Sequence, residues 1–91
     1  MKLFIVHAGF YDNLVSDGFY ESHTNYFLAA ENLKDAKSKA KRIPEFKNKK
    51  MHIDGIMEIT RVNGYKVRLE KDQENKDDSI RAYDYDTVKK L

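Results

Sequence analysis

Residues 51–70, MHIDGIMEITRVNGYKVRLE, decide the fold. Asn63-Gly64 stands between two runs rich in β-branched and aromatic residues, the strongest short-range signal for a β-hairpin. A type I′ turn needs positive φ at both central residues, and Asn followed by Gly tolerates this best. With those two residues as the turn, Val62 pairs with Tyr65, Thr60 with Val67 and Glu58 with Leu69. Side chains alternate along a strand, so Ile56, Val62, Tyr65, Val67 and Leu69 share one face with Glu58 and Thr60. Met57, Ile59, Arg61, Lys66 and Arg68 fall on the other. One face is mostly apolar and the other mixed and basic, which predicts a sheet covered on one side only. Carried back through an unbroken Gly55, the same parity adds Asp54 and His52 to the face that holds Glu58.

Upstream, Lys2 to Ala8 is a continuous apolar run ended by Gly9, as suits a central strand. Residues 9–20 read as a loop with turn signals at Asp12-Asn13 and Asp17-Gly18. It contains an echo, Gly9-Phe10-Tyr11-Asp12 and Gly18-Phe19-Tyr20-Glu21, which suits two facing strand ends or an aromatic lip over a ligand. Residues 21–30, ESHTNYFLAA, read as a second strand antiparallel to the first. Asn32 can cap a helix, with Asp35 in the capping-box position. Leu33, Ala36, Ala40 and Ile43 then follow helical spacing and give a narrow buried stripe. Pro44 ends that helix, because the residue before proline is pushed out of helical geometry.

Composition narrows the class. Ninety-one residues make one domain, and 35% of them are charged. There is no cysteine, which removes disulfides and thiolate metal sites. No apolar run reaches the roughly 20 residues of a membrane span, and the opening MKLFIVHAGF reads as a strand and not a signal peptide. A cytoplasmic protein with no membrane partner is the expectation. The net charge of +2 conceals two opposed segments. Residues 34–50 carry eight basic side chains against two acidic ones, and residues 70–86 carry seven acidic against three basic. Lys34, Lys37 and Lys41 line one helix face, which could contact nucleic-acid phosphates. No aromatic residue accompanies them for base stacking, so a solvated face is favoured.

The order strand, strand, helix, strand, strand predicts an α+β domain, ββαββ, over residues 1–70. The expected sheet is four-stranded and mainly antiparallel, in the order 2-1-3-4, with one helix on one face. Residues 71–91 form a polar linker and a C-terminal tail. A helix over the tail, following a Ser79 cap, would align Ile80, Tyr83, Val88 and Leu91. Such a tail is expected to dock on the sheet or on a second copy, giving a homodimer.

That layout sends His7, His23 and His52 toward one end of the sheet, together with Glu21 and Asp54. Imidazoles and carboxylates together could ligate a borderline metal, with His23, His52 and Asp54 as candidates. They could equally form an acid–base pair, grip a polar ligand, or close strand ends with structural hydrogen bonds. The ligand-binding candidates are therefore Glu21, His23, His52, Asp54, His7 and Glu58. No cofactor motif is present: the chain has no Gly-rich phosphate loop, and no nucleophile elbow points to catalysis.

Glu21-x-His23 with Phe27, the lysine-rich helix, His52-Ile53-Asp54 and the Gly64-Tyr65 turn together resemble a family of small bacterial proteins, domain of unknown function 1543. The similarity covers roughly residues 2–69 and implies the fold and the place of a site, with no activity attached. Members often carry an aspartate directly after the first motif's histidine, where this chain has Thr24. The reading favoured by the whole chain is a non-catalytic binding or protein-interaction module. Its alternatives are a metal-dependent or acid–base enzyme at the His23, His52, Asp54 end of the sheet, and a nucleic-acid accessory protein using the basic helix.

Overall fold

The first strand runs two residues past the glycine expected to end it. The computed structural model describes residues 1–91, and in it β1 spans Lys2–Tyr11 and β2 spans Glu21–Ala30. They pair antiparallel in continuous register from Lys2↔Ala30 to Tyr11↔Glu21. Helix α1 (Leu33–Lys41) and α2 (Pro44–Asn48) lead into β3 (His52–Ile59), which pairs antiparallel with the other edge of β1. The sheet order is β2-β1-β3, so β2 and β3 run parallel to each other on either side of the central apolar strand.

Two expectations need correction. The sheet has three strands, not four. Beyond the rung Leu3↔Ile59 the chain has only the hairpin to pair with, so Arg61–Val62 (β4) and Tyr65–Lys66 (β5) make a separate two-stranded ribbon. Running back along β3 would require apolar residues past Leu69, and the chain there turns to Glu70, Lys71 and Asp72. The turn itself is as expected, with φ of 51° at Asn63 and 83° at Gly64. The single helix is likewise two. Ile43 is extended, with φ −64° and ψ 128°, and it breaks α1; Pro44 then occupies the first turn of α2, where its missing N–H is no loss.

Asn32 caps α1 by accepting from the Asp35 N–H at 2.8 Å, and Asp35 accepts from the Glu31 N–H at 3.0 Å. This backbone donor, aided by Lys39 and Arg42, holds the Asp35 carboxyl below the usual carboxylate range. Ala36 and Ala40 are fully buried and small enough for α1 to lie close on the sheet, whereas Leu33 is exposed. The core lies between the helices and the even-numbered residues of β1. Phe4 packs with Ala30, Ala36 and Ile56; Ala8 and Phe10 pack with Phe46, Met51, Tyr26, Ile43 and Ile53. The opposite, odd-numbered face of β1 has no layer over it, and Phe27 and Met57 on that face are 56% and 59% exposed.

The C-terminal segment ends in a short helix, α3 (Tyr85–Lys89), capped by Asp84 and not Ser79. The Thr87 side chain and N–H lower the Asp84 carboxyl. Asp78, Ser79 and Ile80 line a groove with Asn25–Leu28 of β2 and Ile43. Ile80, Tyr83, Tyr85, Val88 and Leu91 are all exposed. No helix of the chain is long and apolar enough to cross a membrane.

Candidate functional site

A one-residue bulge in β3 sets the site. The register runs Val6↔Ile56 and His7↔Gly55, then steps to Ala8↔Ile53 and Gly9↔His52, leaving Asp54 as the extra residue. A bulge places two residues of one strand against one of its partner and re-aims the side chain it carries. Here it moves the strand's parity by one. Ile53 and Ile56 both turn to the helix side, while His52 and Asp54 face the open side. Glu58 lies opposite Phe4 on the helix-side row, so the expectation that it joins His52 and Asp54 is wrong. The unbroken parity that suggested it does not exist.

On the other edge, Gly9 pairs with His23 and Tyr11 with Glu21, so these two side chains enter the same open face from β2. Five of the six candidates therefore meet. The Nε2 of His52 lies 2.6 Å from Glu21 Oε1 and 3.0 Å from Asp54 Oδ1. The Nε2 of His23 lies 3.1 Å from Asp54 Oδ2 and 3.3 Å from Glu21 Oε1. The ring of His7 stacks on that of His23, with centroids 4.9 Å apart and planes 7° from parallel. Thr24 pairs with Ala8 on the helix side, so an aspartate there would not face this cluster.

Two further residues complete the arrangement and were not among the candidates. Gly9 is its floor. A Cβ at position 9 would collide with Glu21 Oε1 and stand 2.7 Å from His52 Nε2 and 2.8 Å from Asp54 Oδ2. The sequence does carry the signal, since a glycine inside a strand pattern often marks a close approach, although after the apolar run Lys2 to Ala8 it reads equally as the strand's end. Asn25 is the second. Its Oδ1 lies 2.8 Å from His7 Nδ1 and accepts a hydrogen bond from Nδ1–H, the tautomer that leaves the lone pair on Nε2. Asn25 is two residues from His23 and lies opposite His7, but nothing in the sequence marks that residue type as an orienting partner.

The charge balance of the cluster is distinctive. Glu21 and Asp54 converge with no lysine or arginine paired to either; their ion-pair partners are histidines alone. By contrast the basic segment is tied elsewhere in part, Lys39 to the Ala29 carbonyl at 2.8 Å and Lys49 over the Phe10 ring at 4.7 Å. Side-chain exposure is 30% for Glu21, 31% for Asp54, 41% for His23 and 48% for His52, so solvent reaches every member. Potential ligand atoms fall into two groups within 4.8 Å of one another, His7-His23-Asp54 and Glu21-His52-Asp54.

These features define a small α+β domain with a one-sided antiparallel sheet and a histidine–carboxylate cluster on its bare face. Residues 18–69 match the family model Domain of Unknown Function (DUF1543), and the chain belongs to that family. The matched span includes Glu21, His23, His52 and Asp54 but not His7 or Gly9. No curated protein and no solved structure matches the chain.

Proposed function

We propose that this domain is a binding module for a divalent transition-metal ion, held over Gly9 by Glu21 Oε1, His52 Nε2 and Asp54. The observation that carries the reading is the glycine floor. Two carboxylates and an imidazole close on a point where only the absence of a side chain leaves room. With histidine neutral, the two carboxylates leave a charge of about −2 at that point, which a divalent ion cancels and no lysine or arginine does.

Spacing and chemistry agree. An ion with bonds of about 2.1 Å has neighbouring ligands about 3.0 Å apart in an octahedron and about 3.4 Å apart in a tetrahedron. Separations of 2.6 and 3.0 Å from His52 Nε2 lie nearer the octahedral value. Mixed imidazole and carboxylate ligands suit zinc, iron, nickel and manganese, and a thiolate-free set disfavours copper(I). The ligands' exposure leaves further coordination positions open to water or to a small donor ligand. Binding is the role this supports, in keeping with a chain that carries no nucleophile elbow or phosphate loop.

Calorimetric titration of the metal-free protein with Zn(II) and with Mn(II) tests the reading. A saturable site is expected, and His52→Ala should weaken it by at least tenfold, or about 1.4 kcal/mol. No saturable binding of either ion up to about 1 mM, a floor of about 4 kcal/mol in binding free energy, would sink the proposal.

A further inference from the structure

The two ligand groups share one residue, and they use different atoms of it. Asp54 presents Oδ1 to His52 at 3.0 Å and Oδ2 to His23 at 3.1 Å. A carboxylate engaged on both oxygens by different partners has the disposition of a bridge between two ions. We propose that the cluster holds two divalent ions per chain. The first is the ion of the preceding section, with Glu21, His52 and Asp54. The second lies on the His23 side of the shared Asp54 carboxylate, with His23 and His7. The inference rests on the metal-binding reading and extends it to a dinuclear centre bridged by Asp54.

Three features point to a second ion. His7, His23 and Asp54 offer ligand atoms within 4.8 Å of one another, the same criterion the first group meets. His7 is already held as a ligand would be, because Nδ1–H donates to Asn25 Oδ1 and the lone pair is left on Nε2; metal-bound histidines are held in this way through their other nitrogen. The bulge at Asp54 puts this carboxylate between the two edge strands' histidines, where an unbulged strand would have no extra residue. Paired ions of this type lie about 3.5–4 Å apart, a separation that one bridging carboxylate spans.

The geometry also shows what must move. His7 and His23 are stacked with planes 7° from parallel. An imidazole binds an ion in its own plane, and parallel planes share no point, so one ring must turn about its Cβ–Cγ bond before both can ligate. That torsion is broad, and Asn25 holds His7 at Nδ1. Loading the second ion therefore breaks the stack.

Equilibrium dialysis of the full chain against Co(II), with metal counted by emission spectrometry, is the test. The expected result is two ions per chain in the wild type, one in His7→Ala with the remaining affinity changed by less than threefold, and none in Asp54→Ala. Manganese(II) at two equivalents should give an exchange-coupled magnetic-resonance signal that His7→Ala abolishes. One ion per wild-type chain would overturn the dinuclear centre while leaving the single site standing. Two ions in His7→Ala would overturn the assignment of His7, and zero ions in the wild type would overturn both readings. Circular dichroism of each variant separates loss of ligands from loss of fold.

Discussion

Replacing Gly9 with alanine should separate the site from the fold. Gly9 lies in extended backbone outside the positive-φ region, so alanine is allowed there. The three atoms nearest the methyl group would all be side-chain ends, those of Glu21, His52 and Asp54. To reach ordinary contact at 3.4 Å from 2.7 and 2.8 Å, His52 and Asp54 must each retreat by about 0.6–0.7 Å, and Glu21 further. All three are partly exposed and can swing outward. Removing a strand glycine favours folding by about 0.5–1 kcal/mol, which offsets the crowding, and net stability should stay within about 1 kcal/mol of wild type. Metal affinity should fall at least tenfold, about 1.4 kcal/mol, because the ion would share its place with a methyl group. Urea denaturation and zinc titration of the same preparation measure the two effects. A Gly9→Ala protein that binds zinc as tightly as wild type would refute the placement of the ion. One that fails to fold would refute the claim that the crowding at Gly9 is relieved by moving side-chain ends.

Phe46→Ala should lower stability by about 3–5 kcal/mol, since Phe46 is buried against Ala8, Phe10 and Met51 in a core of few large residues; a shift in the urea midpoint at unchanged slope would show it. Gly64→Val should strain the ribbon by about 1–3 kcal/mol through φ alone, as no atom lies within 4 Å of a Cβ there. Because β4 and β5 are exposed and apart from the main sheet, the melting temperature should move by less than about 2 °C, while the Val67 N–H, bonded to the Thr60 carbonyl at 3.0 Å, exchanges faster. Burial, then the Glu45 carboxylate, raises the Tyr26 hydroxyl to about 12. The folded state thus keeps a proton that the unfolded state releases near 10, so this contribution to stability is whole below pH 10 and is lost between about 10 and 12. Absorbance titration should find the last tyrosine step missing in Tyr26→Phe.

How far the sequence revealed this protein depends on what each residue signals locally. The span of β2, the Asn32 cap and the Asn63-Gly64 turn were all legible, because alternation, capping and positive φ are each set within a few residues. Pro44 was half legible: proline stops one helix and starts another by the same fixed φ, and only the packing of Phe46 decides that α2 forms. The meeting of His7, His23 and His52 followed from strand order. The bulge did not, since no local pattern distinguishes an extra residue at Asp54 from a regular strand through Gly55. That one gap put His52 and Asp54 on the face of Ile56 and Glu58, when they lie on the opposite one. The fourth strand failed for a longer-range reason, namely that β5 can pair only with what lies beside it.

Asp54 bears on how such a site could be acquired. Every other rung between β1 and β3 is matched: His52 with Gly9, Ile53 with Ala8, Gly55 with His7 and Ile56 with Val6. Strike Asp54 out and the ladder closes into an unbroken strand with the same partners throughout. In its topology, then, this carboxylate adds one residue to a ladder that is complete without it. Ile53 before it and Ile56 after it both pack the interior, while His52 and Asp54 face the open side, so the extra residue adds a ligand without displacing a core side chain. A fold arranged in this way can lose or regain a ligand by a change of length instead of a change of core, and relatives lacking the extra residue would be expected to keep the architecture without the cluster.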